Sequence, residues 1–257
     1  MLRRLFTCTF ILSLVVSAGA EPMRTNLTRE NKLPGKGGME AGLNYTYSDI
    51  GIETGTPGFE IDGDATEIVP YFRFGIVDDL AVEARVPFVS ADIDGDSNSG
   101  LGDIAIDLEL RAWEDIFGYP WILPYISYVS SSGNDDKNLG TGDSSWTVGA
   151  SIGTTTYDEL HWTLDAGYEF SGDYSNRASV GMGLLWSLSD EFALLGEVAW
   201  SEYSKFIGIV DENTSPIIWQ VGFNYVISHV WDFSLYGGQE TDGVRDAIAG
   251  GRLSASF

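Results

Sequence analysis

The stretch that most restricts this chain is Gly100–Trp113, GLGDIAIDLELRAW. Gly100-Leu101-Gly102 is turn-like, because glycine is too unconstrained for a helix interior. Beyond it the residues alternate. Ile104, Ile106, Leu108, Leu110 and Ala112 share one parity, and Asp103, Asp107, Glu109 and Arg111 take the other. A helix would scatter these carboxylates around its axis. A strand gathers them into one charged face opposite one oily face. A sheet in water can rest the oily face on a core. A membrane barrel turns it to lipid and keeps the charges in the lumen.

The start of the chain bears on the choice. Arg3 and Arg4 precede an apolar run, Leu5 to Val16, and Ala18-Gly19-Ala20 is a small-x-small cleavage site. This is the pattern of a secretory signal, and the run is too short for a spanning helix. The sequence therefore predicts a signal peptide over 1–20. Cys8, the one cysteine, leaves with it, so disulfide staples do not enter the argument. No other segment offers the roughly 20 apolar residues of a spanning helix. A membrane role then requires a closed barrel, because lipid tolerates only helices and sheets without edges.

Twelve candidate strands follow a polar arm, near 38–49, 65–77, 80–91, 102–114, 120–131, 143–156, 160–171, 177–188, 191–203, 215–227, 230–240 and 245–257. Twelve is even, as bacterial single-chain barrels require. Connections alternate in length. Short turns fall at 77–79, 158–159, 189–190 and 228–229, with a longer one at 114–120. Longer loops span 50–64, 92–101, 132–142, 172–176, 204–215 and 241–244. Short turns at one end and long loops at the other are characteristic of membrane barrels.

The hairpin over 178–200 shows the parity plainly. Val180, Met182, Leu184, Trp186 and Leu188 oppose Ser179, Gly181, Gly183 and Ser187, with Leu185 breaking the pattern. Twelve strands with such residues pointing inward would overfill a single closed barrel, so they belong outside. The eight tryptophans all lie near predicted strand ends, as interfacial girdles do. The last strand carries Ala247, Ala249, Gly251, Leu253, Ala255 and Phe257 on one parity, with an aromatic final residue.

Net charge is −24, which excludes nucleic-acid binding, a function that needs a basic surface. The acidity suits a solvated surface, and equally a cell-surface barrel whose loops hold divalent cations against lipopolysaccharide.

Three motifs carry a resemblance: Gly100-Leu101-Gly102-Asp103 opening a strand, Leu123-Pro124-Tyr125-Ile126-Ser127-Tyr128, and Gly140-Thr141-Gly142-Asp143 opening another. Together with the pattern from about Gly38 to Phe257, they resemble the outer-membrane family named for the MetA pathway of phenol degradation. The resemblance implies a barrel that passes small organic molecules and supplies no catalytic residues.

Lumen parity places Glu67, Arg73, Glu83, Arg85, Asp103, Asp107, Glu109 and Arg111 as candidate constriction residues, with Arg73, Arg85 and Glu109 at similar depth. They read either as a charged filter or as a salt-bridge ladder in a narrow lumen, and the two are compatible. Asp92, Asp94 and Asp96 resemble a calcium loop. Ser97 replaces its glycine, however, and Asp103 stands where a bidentate glutamate belongs, so a solvated acidic loop is the preferred reading. His161 and His229 fall at the short-turn rim, away from where an outer-rim hydrolase would need a base, so no enzyme is predicted. No cofactor motif is present.

The sequence thus predicts one all-β domain: a single closed antiparallel transmembrane barrel of about twelve strands over 38–257, after a cleaved signal peptide (1–20) and a periplasmic arm (21–37). Twelve strands tilted by about 40° close to roughly 24 Å across the backbone, leaving a lumen on the order of 10 Å. Expected partners are outer-membrane lipid, lipopolysaccharide and a small-molecule solute, with a monomer as the assembly. A channel is the leading function and a structural or surface-binding barrel with an occluded lumen the alternative. The arm carries Arg24, Arg29, Lys32 and Lys36. Opposite it stand lumen candidates Glu40, Asp103, Asp107, Glu109, Asp165, Glu169, Glu197 and Asp232. The charges predict either an arm drawn into the periplasmic mouth or a loose tail.

Overall fold

The computed structural model describes residues 27–29, 32–53, 60–113, 120–156, 159–206, 209–212 and 214–257. The expected signal peptide lies outside them. The strands are β1 (Met39–Glu53), β2 (Glu60–Val77), β3 (Leu80–Arg85), β4 (Phe88–Ile93), β5 (Asp96–Leu101), β6 (Ala105–Leu110), β7 (Trp121–Val129) and β8 (Ser145–Thr156). They continue with β9 (Leu160–Ser171), β10 (Arg177–Ser187), β11 (Phe192–Ser201), β12 (Ser204–Phe206), β13 (Ile209–Asp211), β14 (Ile217–Val226), β15 (Trp231–Thr241) and β16 (Arg245–Ser256).

Every pairing is antiparallel, and β1 pairs with both β2 and β16, so the sheet closes. β3 and β4 are successive halves of one strand against β2, and β5 with β6 forms the next. Counted this way the barrel has twelve strands. The ends of the chain zip it shut, with Met39 and Phe257 exchanging backbone hydrogen bonds of 2.9 and 2.7 Å. Closure removes the exposed edges an open sheet would present.

The parity expected from the sequence holds in β6, where Ala105, Asp107 and Glu109 are buried and Ile106, Leu108 and Leu110 exposed. Outward residues form an apolar belt that includes Phe72, Val148, Val180 and Val221, the last 58% exposed. A protein folded in water rarely shows so continuous an apolar surface. Trp146, Trp200 and Trp219 lie toward the long-loop end of this belt, and Trp113, Trp162, Trp186 and Trp231 toward the short turns. Trp121 departs from the girdle. It points inward, and its ring fills the space that glycine leaves open at Gly153. Leu185, the parity break, is also inward and packs on Ala193 and Leu195.

Two expected boundaries change. The predicted loop 92–101 is largely β4–β5 hairpin, turning at Asp94 and Gly95, both with positive φ. The predicted loop 50–64 is largely paired strand, with register running to Glu53↔Glu60. Past the belt a strand has no lipid to face, so it loses the oily parity by which a strand is recognised. β3 and β4 part at Val86-Pro87, where proline has no N–H to give the ladder.

Candidate solute pathway through the barrel

The arm enters the lumen at a turn over Lys36-Gly37, where Gly37 takes φ +76°, a conformation that glycine adopts freely. Gly37 donates to the Gly75 carbonyl at 2.8 Å, and Gly75 donates to Gly38 at 3.0 Å. A side chain at Gly75 would strike the arm backbone, since its Cβ would lie 2.2 Å from the Pro34 carbonyl. Lys32 offers its carbonyl to Arg73 at 2.6 Å. Leu27 and Thr28 then donate backbone N–H groups to Glu197 Oε1 on β11, at 2.8 and 3.2 Å. β2 and β11 stand on nearly opposite walls of the twelve-stranded ring, so the described parts of the arm reach both sides.

Between these anchors Arg29 meets the predicted charge cluster. Its guanidinium lies 2.8 Å from Glu109 and 3.3 Å from Asp107, and 3.9 Å above the ring of Tyr125. Tyr125 donates to Asp165 at 3.0 Å. Arg73 binds Glu109 directly and lies 3.9 Å from Glu83. Arg85 reaches Asp107 at 2.5 Å and Glu83 at 3.5 Å. The strands set this up: Arg73 stands opposite Glu83, and Glu83 opposite Asp107, all on the inward parity. Asp107 and Glu109 are nearly sealed from solvent, at 1% and 5% exposure, and Glu83 is half-buried. Buried charges persist only when paired, and here each carboxylate of the row has an arginine.

Not every predicted residue joins this row. Glu67 lines the cavity above it. Arg111 is inward but sits at the short-turn rim, bound to Asp79 at 2.8 Å and to the Asp78 carbonyl at 3.2 Å. There it clamps the turn, apart from the row. Asp103 lies at the other end, accepting from the backbone of Gly133 and Thr141 at 2.8 Å each. Asp92 accepts from Ser97 at 2.5 Å within the hairpin. Among the described residues no three acidic, histidine or cysteine side chains converge on a metal position.

On the other wall the sequence pointed to Asp165, Glu169 and Glu197, which the structure places inward. It did not reveal Gln220, Tyr236 and Arg252 or the upper closure. A cavity of about 510 Å³ is bounded below by Arg29 and on the far wall by Gln220, Tyr236 and Arg252. Arg252 could have been found from the parity of the last strand, where it opposes Leu253. Toward the long loops the lumen turns apolar, with Ile50, Ala65, Val89, Ala91, Leu139, Phe206 and Val244 packed together. Leu139 and Phe206 come from segments predicted as longer loops. Leu139 is the one large apolar residue of 132–142, whereas Phe206 opens the apolar run Phe206-Ile207-Gly208-Ile209-Val210. Phe206 is carried by the β12–β13 hairpin. Lys205 anchors that hairpin to Glu169 at 2.5 Å, and Ser204 to Glu240 at 2.8 Å.

A closed barrel with an oily belt outside and an ionic, partly filled lumen defines a transmembrane β-barrel protein. The sequence profile of the family described as "Putative MetA-pathway of phenol degradation" matches residues 28–257, and the chain belongs to that family. Among solved structures, the COG4313 outer membrane channel from Pseudomonas putida F1 is similar over 90% of this chain and 100% of that one, with TM-score 0.67 at 14% identity. The KdgM porin is similar over 84% and 99%, with TM-score 0.54 at 11% identity. The translocator domain of the autotransporter NalP from Neisseria meningitidis follows over 87% and 88%, with TM-score 0.52 at 13% identity. These identities speak for the fold alone. A porin and a translocator share it, so function must be argued from the lumen. A comparison with curated proteins finds no match.

Proposed function

We propose that this protein is a bacterial outer-membrane channel for small organic solutes, with a preference for apolar or aromatic ones. The observation that carries the channel is the cavity of about 510 Å³ inside the barrel, above the arm and lined mainly by charged and polar side chains. The preference for apolar solutes rests on the apolar closure above it. A barrel that served only as a membrane anchor has no use for an internal chamber. The chamber's size suits one small molecule at a time and not bulk flow. The signal peptide delivers the chain to the periplasm. The barrel then inserts as a monomer, with long loops facing outside among lipopolysaccharide and short turns facing the periplasm. It acts as a conduit and not as an enzyme.

The reading is tested by single-channel recording in planar bilayers with aromatic and sugar solutes as blockers. Aromatic solutes should interrupt the current at lower concentration than sugars. Equal block, or none, overturns the preference. An epitope at Asn134 should be labelled on intact cells, and labelling only after permeabilisation reverses the orientation.

One observation favours the second reading, an occluded barrel without transport: the arm residues bind both walls. On the channel reading the arm is a plug that yields. On the occluded reading it is a permanent filling, and removing it would create a pore that has no physiological counterpart.

A further inference from the structure

We infer that Leu139 is the specificity-determining residue of the outer entrance, an apolar stopper latched in the lumen by Asp103. The inference rests on the channel reading above and adds a device to it.

The loop between β7 and β8 folds inward. A short 3-10 helix (Asp135–Lys137) is closed by Asn138 at φ 55°, and Leu139 N–H returns to the Asn134 carbonyl at 2.9 Å. This turn drives Leu139 into the barrel, where it is 3% exposed among Ile50, Val89 and Phe206. The motif Gly100-Leu101-Gly102-Asp103 makes the seat. A Cβ at Gly100 would lie 3.0 Å from Leu139 Cδ1, and one at Gly102 would lie 3.2 Å from the Leu139 carbonyl. Asp103 then closes the latch. Its carboxylate accepts from Gly133 N–H and Thr141 N–H at 2.8 Å each and from the Thr141 hydroxyl at 3.1 Å. Gly133 and Gly140 cross so closely that a Cβ on Gly133 would meet Gly140 Cα at 2.6 Å. The motif thus provides both the empty space and the tether.

An apolar collar excludes ions and hydrated solutes because it offers nothing to replace their water. An apolar solute can displace Leu139 and regain its contacts with the same walls. The latch is made of hydrogen bonds to one carboxylate at the edge of the water, so it can open without disturbing the barrel.

The test uses the full mature chain, which has no cysteine once Cys8 is removed with the signal. Val89→Cys, beneath the stopper, is labelled from the loop side with a charged, water-soluble thiol reagent. Adding Asp103→Asn should speed labelling about tenfold, the factor that one charge-assisted hydrogen bond represents in an open–closed equilibrium. Thr141→Val should do so to a lesser degree, and Leu139→Ser should equal or exceed Asp103→Asn. Heat-modifiable gel mobility shows that each barrel is folded, and Thr141→Val, the mildest change, serves if the others do not fold. Unchanged labelling in the folded variants overturns the latch. Faster labelling with no loss of preference for aromatic over sugar blockers overturns the specificity role. Both results leave the channel reading standing, which fails separately if the arm-deleted protein does not conduct.

Discussion

The two ends of this lumen are closed by opposite chemistry. Near the short turns the closure is ionic: Arg29, Arg73 and Arg85 interlock with Glu83, Asp107 and Glu109. Near the long loops it is apolar, with Leu139 and Phe206 on Val89 and Val244. An ionic closure in a poorly hydrated space is selective for its partner, since removing one charge strands another. An apolar closure is tolerant, since any apolar group can take the place of another. The lower end therefore suits one resident segment, the arm. The upper end suits an exchange between a side chain and a solute.

The largest test of this contrast is deletion of residues 21–36 with residues 1–20 kept. It removes Arg29 and both wall anchors, and single-channel conductance should rise several-fold. Equal conductance with and without the arm at every salt concentration would mean that the ionic end does not close the lumen. Next comes Asp107→Ala, which leaves Arg29 and Arg85 short of a carboxylate. Both arginines keep a second carboxylate, Glu109 and Glu83, and are partly exposed. The cost therefore stays below the roughly 3–5 kcal/mol of a stranded buried charge, and the urea midpoint of the reconstituted barrel should fall measurably. Asp107→Asn keeps the shape and should cost less. A loss no greater than for a surface residue would show that the network is dispensable.

A smaller effect is expected in ion selectivity. The cavity itself is nearly balanced, with Glu67, Glu83, Asp103, Asp107 and Glu109 against Arg29, Arg73, Arg85 and Arg252. The acidic hairpin tips carrying Asp62, Asp64, Asp92, Asp94 and Asp96 decide the sign. The reversal potential under a salt gradient should show a mild cation preference that fades at high salt. An anion preference would place control at the arginines.

The smallest effect concerns Asp143, the second motif's counterpart of Asp103. Burial works against its charge, but the N–H groups of Asp173 and Gly172 and the Ser171 hydroxyl outweigh that and hold its carboxyl below the usual carboxylate range. A lowered folded-state value means that its contribution is present above the ordinary aspartate value of about 3.9 and is lost as pH falls through the lower folded value. Protease nicking of loop 172–176 should therefore stay constant from neutral pH to about 4 and rise only below that. Asp143→Asn should nick faster at neutral pH and lose the acid dependence. A rise already at pH 6 would point to another group.

Sequence alone determined the barrel. A period-2 alternation imposed by lipid on one side and water on the other is a local property, read residue by residue in Ile106, Asp107, Leu108 and Glu109. The same parity placed Glu83, Arg85, Asp107 and Glu109 in the lumen. Parity gave the face, and counting from the short turns gave only a rough depth, so Arg111 and Asp103 were grouped with a row that they flank at its two ends. Depth depends on how far each strand is staggered against the next, and that is set only when the twelfth strand meets the first. Tertiary structure alone decided that Arg29 sits between Asp107 and Glu109, and that Leu139 turns inward onto the glycines of the Gly100–Asp103 motif. Both contacts join segments far apart in sequence across an enclosed space, and that space does not exist until the sheet has closed.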